Sequence, residues 1–168
     1  MMISVVIEAG QNDEALARTL AALVGAAAEG VVRDVAVVVT GSAPPAIATI
    51  IDAFGCQSVS GGLAEAIRVA RGPWLLVLPV GAELEPTWWR DAMHFIDRSD
   101  RQPAIPALAA FTPVVQETGF AARLREWRLR LALRRGTGGL LARKDMLSLP
   151  VRHRPIRLRT AIDRTVAP

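Results

Sequence analysis

The sequence has 168 residues, 51% of them apolar, with one cysteine and a formal net charge of +4, which suits one globular domain with a proper core and excludes a disordered chain. Cys56 stands alone, so an internal disulfide and a thiolate zinc site are excluded and a reducing compartment is expected. No apolar run approaches the ~20 residues of a membrane-spanning helix, and Met1-Met2-Ile3-Ser4 lacks the basic segment and apolar core of a signal peptide, so a cytoplasmic location is expected.

Strand and helix patterns alternate through the first hundred residues. Ile3 to Ile7 reads as a short apolar strand, followed by the turn Glu8-Ala9-Gly10-Gln11-Asn12. Asn12 is a helix N-cap, with Asp13 and Glu14 where the helix dipole favours negative charge, and Leu16, Leu20 and Leu23 follow at helical spacing. Val35 to Val39 is a second strand; after "TGSAPP", Ile47, Ile50, Ile51 and Phe54 mark one buried helix face. A third strand at Gln57 to Val59 leads through Gly61-Gly62 into a helix with Leu63, Ile67 and Ala70 inward, stopped by Gly72 as a C-terminal glycine. Trp74 to Leu78 is the fourth strand, and Glu85-Pro86 opens a further helix. Continuous apolar strands joined by amphipathic helices predict an α/β, Rossmann-like fold: a mostly parallel central sheet with helices on both faces. The first turn lacks Gly-X-Gly-X-X-Gly and "GSAPPA" lacks the Gly-Lys-Ser/Thr ending, so neither is a dinucleotide or phosphate loop.

The second part changes character. Residues 1–100 carry 6 arginines against 12 acidic residues, whereas residues 101–168 carry 13 arginines and Lys144 against 4 acidic residues. "ALAAFTPV" is expected to add a strand, and residues 117–135 form an arginine-rich helical pattern with Phe120, Leu124, Trp127 and Leu131 on one face. "GTGGLLARKDML" gives a glycine-rich turn, a short strand and a helical start. The expected organisation is a single domain over residues 1–150, its halves at 1–97 and 98–150, with a basic tail at 151–168.

The segments "ISVVI", "NDEALARTLAAL", "VAVVVTGS" and "GGLAEAIRVARGPWLLVLPVGAELEPTWW", in this order and spacing, resemble the nucleotide-binding half of family-2 glycosyltransferases with the GT-A fold, and "GTGGLLARKDML" resembles their later acceptor-side segment. The resemblance covers roughly residues 3–148. It implies a GT-A sandwich that binds a nucleotide sugar, with lipid-linked or cell-envelope acceptors among the family's substrates. It also exposes departures. The Asp-X-Asp metal motif expected after the fourth strand falls on Pro79 and Gly81, which have no ligating side chain. The base-contacting aspartate falls on Val39 or Thr40, the usual proline of the first strand is Glu8, and the late acidic general base has no counterpart after Leu149. The chain is therefore expected to be a degenerate, truncated relative that requires no cofactor and no divalent metal.

Nucleotide contacts are expected from Glu8, Gly10, Asn12, Thr40, Gly41 and Ser42; the plainer alternatives are first-turn helix charge for Asp13 and a helix cap for Ser42. Glu83 and Glu85 are either a relocated metal pair or a solvated loop acid and a helix cap. His94 and His153 have no companion at metal spacing. Arg123, Arg128, Arg130, Arg134 and Arg135 belong to a solvated helix face, a surface for anionic lipid, or a nucleic-acid contact, the last being ranked lowest. Two functions stay open: a sugar transferase in which arginines replace the metal, or a non-catalytic scaffold at the inner face of the membrane or beside an active transferase.

Overall fold

The computed structural model describes residues 2–105, 107–113, 139–147 and 156–164. Among the described residues, eight strands form one sheet: β1 (Ile3–Ala9), β2 (Val32–Val39), β3 (Gln57–Val59), β4 (Trp74–Pro79), β5 (Ala82–Leu84), β6 (Leu108–Pro113), β7 (Leu140–Arg143) and β8 (Ile156–Arg164). Their order across the sheet is β3-β2-β1-β4-β7-β6-β8-β5. The pairs β3–β2, β2–β1, β1–β4 and β6–β8 are parallel; β7 runs antiparallel to both neighbours and β5 runs antiparallel to β8. The fold is thus the expected α/β one with a mostly parallel sheet.

Alternation along β1 sorts the two faces. Ile3, Val5 and Ile7 join a large apolar cluster with Leu16 and Leu20 of α1 (Asp13–Ala21), Ala26 of α2 (Val24–Ala28), Ile47 and Ile51 of α3 (Pro45–Ala53), and Trp88, Phe95 and Ile96 of α5 (Trp88–Arg101). Val6 turns to the other face, where Ala66 of α4 (Gly62–Val69) and Leu147 of α6 (Lys144–Leu147) pack. Both faces are covered, which is why β1 and β4 read as unbroken apolar runs.

Several expectations need correcting. Glu8 and Ala9 belong to β1 rather than to the turn after it. Phe54 is 43% exposed, because α3 ends at Ala53 and Phe54 follows as its C-cap. Helix α4 ends at Val69 with Ala70 as its cap, and Gly72 is not among the glycines with positive φ, so Gly72 does not stop the helix. Its reason is contact: a Cβ there would lie 2.8 Å from Ser4 Oγ, 2.9 Å from Ser4 N and 3.1 Å from Met2 O. The Ser4 hydroxyl accepts from Gly72 N at 2.7 Å and donates to Asp34, whose other oxygen accepts from Arg71 N at 3.2 Å. Two strands, β1 and β2, and the α4–β4 connection meet in this knot.

Residues 156–164, assigned from sequence to a basic tail, form β8, between β6 and β5. "IRLRTAI" carries the period-two alternation that marks a strand, which its arginines obscure. The connection to the first half is also specific. Lys144 Nζ donates to Arg68 O at 3.1 Å and Ala70 O at 2.8 Å, and its backbone N–H to Pro73 O at 2.8 Å. The arginine-rich stretch at 117–135, with Arg123, Arg128, Arg130, Arg134 and Arg135, and His153 lie outside the described residues. No helix among the described residues is long and apolar enough to cross a membrane.

Candidate functional site

The chain steps outward from β1 through β2 to β3 and then returns past β1 to β4. The carboxyl ends of β1 and β4 therefore flank the place where the strand order reverses, the usual ligand crevice of an open α/β sheet. Glu8 sits there, its Cα opposite Val38 of β2 on one side and Pro79 of β4 on the other. It lies on the α4 face, in alternation with Val6. Burial raises its carboxyl pKa above the ordinary value, since a partly desolvated carboxylate resists ionisation.

That shift has a sign. The folded chain holds the Glu8 proton more tightly than the unfolded chain, so this group's contribution is most favourable below the ordinary carboxylate pKa. The contribution is lost as pH rises through the raised folded value. Glu8→Gln is accordingly expected to stabilise the fold at neutral pH and to have less benefit at mildly acidic pH. Urea unfolding of both proteins at the two pH values checks this; an identical difference at both would show that Glu8 titrates normally.

Beside Glu8, the β2–α3 turn presents Thr40, Gly41 and Ser42, all exposed. Gly41 has φ +79, a left-handed conformation that glycine takes without strain. Ser42 does not cap α3: that helix starts at Pro45 behind Pro44, with no side-chain cap. Asn12 does act as a cap, its Oδ1 accepting from Ala15 N at 2.9 Å, and Asp13 and Glu14 occupy the first turn of α1. Gly10 lines the crevice opposite β4: a methyl there would lie 3.7 Å from Val80 Cγ1.

The turn Pro79-Val80-Gly81-Ala82 closes the other side. Gly81 has φ +80 and its N–H donates to Thr19 Oγ1 at 2.9 Å. Thr19 is fully buried and passes its own hydroxyl proton to Ala15 O at 3.0 Å. Sequence reading overlooked Thr19, although it sits on the inward face with Leu16 and Leu20, where a polar residue calls for a partner. Glu85 is exposed and precedes the α5 N-cap, Thr87, which makes no side-chain cap bond; Glu85 contributes its carbonyl to Trp88 N instead of capping through its side chain. Glu83 is the middle residue of β5, in register with Asp163 of β8. His94 is exposed on α5.

A mostly parallel sheet with helices on both faces, its strand order reversing between β1 and β4, defines a Rossmann-like class of α/β fold. Comparison with solved structures narrows it to the GT-A fold. The chain is similar to mannosyl-3-phosphoglycerate synthase from Rubrobacter xylanophilus, with 14% identity and a TM-score of 0.59 over 87% of this chain and 55% of that one. It is similar also to glucosyl-3-phosphoglycerate synthase from Mycobacterium tuberculosis in complex with Mn2+ and uridine-diphosphate-glucose, with 16% identity and a TM-score of 0.58 over 88% and 57% of the two chains. The chain thus spans little more than half the length of these enzymes. No protein-family profile and no curated protein sequence matches it.

The Mn2+ in that complex raises the question of fit. Pro79, Val80, Gly81 and Ala82 offer no side-chain oxygen to a hard cation. Among the described residues, no group of three or more His, Cys, Asp or Glu is placed to hold a metal ion. The donor set of this turn does not suit a divalent cation.

Proposed function

We propose that this chain is a glycosyltransferase-like domain that binds a nucleotide sugar at the rim formed by Glu8, Gly10, Thr40, Gly41 and Ser42, without a cation held by the 79–82 turn. The observation that carries the reading is Glu8: a half-buried carboxylate at the point of strand reversal, beside two exposed hydroxyls, on a GT-A fold. A carboxylate only accepts hydrogen bonds, so its natural complement is a ligand edge rich in O–H or N–H, which the ribose and base of a nucleotide supply. Asn12 contributes by fixing the start of α1 rather than by touching ligand.

The charge of the rim constrains the rest. Glu8, Asp13 and Glu14 are acidic, and Arg18 is paired with Glu14 at 3.6 Å. A bound diphosphate therefore needs cations from elsewhere, and Arg123, Arg128, Arg130, Arg134 and Arg135 are the proposed source. The same arginines suit an anionic membrane surface at the inner face of the membrane. A second reading is favoured by the ligand-free chemistry of the 79–82 turn: a non-catalytic binding protein, acting near the membrane or with an active transferase. In neither reading is nucleic acid a partner.

Isothermal calorimetry with UDP, GDP and their sugars, each with and without Mn2+, tests the proposal. Binding of one nucleotide irrespective of metal is expected. Binding only with Mn2+ would overturn the reading of the turn and return attention to Glu83 and Glu85, whereas no binding to any of them would leave the scaffold reading. Release of free sugar or its transfer to an acceptor then separates enzyme from binding protein.

A further inference from the structure

We propose that Thr19 is the positioning residue of the rim: its hydroxyl, rather than a metal ion, sets the β4–β5 turn at a fixed distance from the β1–α1 loop. The inference rests on the rim being the ligand site. Four groups form one hydrogen-bonded series. Gly81 N–H donates to Thr19 Oγ1 at 2.9 Å, Thr19 Oγ1 donates to Ala15 O at 3.0 Å, and Ala15 N–H donates to Asn12 Oδ1 at 2.9 Å. The two walls of the crevice lie at the ends of this series: Val80 adjoins Gly81, and Gly10 stands two residues before Asn12.

The chemistry of the series explains its residue types. Gly81, at φ +80, stands in the turn between β4 and β5, and its buried N–H is a donor that must be satisfied. Ala15 O is already the acceptor of a normal helical bond one turn on, and a threonine at i+4 can share that carbonyl while its lone pairs stay free. Thr19 is fully buried, so water cannot replace it. Valine has the same shape without the hydroxyl and would bury the Gly81 N–H unpaired, a loss that relaxes by moving the turn. Serine keeps the hydroxyl and loses only a methyl. A ligand in a crevice of preset width need not order the turn on binding, which favours affinity.

The test follows the Gly81 amide by hydrogen exchange and the affinity for UDP and GDP by calorimetry in wild type, Thr19→Val and Thr19→Ser. In Thr19→Val the Gly81 amide is expected to exchange at least about tenfold faster and the bound nucleotide to weaken about tenfold; Thr19→Ser is expected to restore both. A merely structural threonine would lower stability in both variants with nucleotide affinity unchanged. Equal Gly81 protection in wild type and Thr19→Val overturns the anchor whatever the protein binds. If wild type binds neither nucleotide but Gly81 exchange depends on Thr19, the nucleotide reading fails and the anchor stands. Should Thr19→Val not fold, Thr19→Ser decides: loss of Gly81 protection there overturns the proposal.

Discussion

Gly72→Ala is expected to lower the stability of the fold by about 3 kcal/mol, the upper part of the usual cost of overpacking, and the thermal midpoint by roughly 6–12 °C for a chain of this size. A Cβ at this position meets Ser4 Oγ at 2.8 Å and Ser4 N at 2.9 Å. The first contact is with a short side chain, but the second is with the backbone of β1, which is held by β2 on one side and β4 on the other. Neither neighbour can give way without shifting a ladder. The control follows from the same distances. Ser4→Ala removes the Oγ contact and leaves the backbone one, while stripping Gly72 N and Asp34 of their shared partner. Adding Ser4→Ala to Gly72→Ala should therefore fail to rescue. Urea unfolding of the two single variants and the double checks this; recovery in the double would mean that the serine side chain alone makes glycine necessary.

Lys144→Met is expected to cost about 2 kcal/mol, the range of a hydrogen bond to a charged group. The last carbonyls of a helix have no partner within it and its C-terminal end favours a cation. Lys144 supplies both needs for α4 from more than seventy residues away, bridging Arg68 O and Ala70 O. Arg143 and Asp145, on either side, are engaged with each other at 2.9 Å and cannot substitute. Lys144→Arg should recover part of the loss, since a planar guanidinium does not converge on two carbonyls as an ammonium does. Because Lys144 is the chain's one lysine, acetylation of the ε-amine should reproduce the methionine variant. A methionine variant within about half a kcal/mol of wild type, the range of an uneventful surface change, would show that water replaces the lysine.

The two predictions mark the limit of what a sequence displays. β1, β2 and β4 were legible because burial on both faces leaves apolar runs, and α1 because Asn12 and its acidic neighbours mark its start. The site was legible as a place, and Glu8 as an oddity within it, but not the reason for its neighbours. Thr19, Ser4 and Lys144 act on backbone atoms 62 to 76 residues distant, and no periodicity records such a bond. Ser42 and Glu85 looked like caps because capping residues are common before helices, yet whether a side chain caps depends on the backbone angles around it. Gly72 looked like a helix stop for the same reason, when the cause lies on a different strand.

The position of β8 bears on how the chain is made. Among the described residues β5 lies at the sheet edge and pairs with β8 alone, while β6 pairs with β8 on one side and β7 on the other. A ribosome releasing the chain from its N-terminus completes the β3-β2-β1-β4 portion early. It then holds β5 without a ladder while roughly seventy further residues are added, several seconds at about 5–20 residues per second. During that interval the β5 backbone, which pairs with β8, is an unpaired edge of the kind that invites association between chains. Stalling or premature termination before residue 156 thus leaves β5 without its ladder partner, and expression yield should depend on translation through the codons for residues 156–164 more than on any earlier stretch of that length.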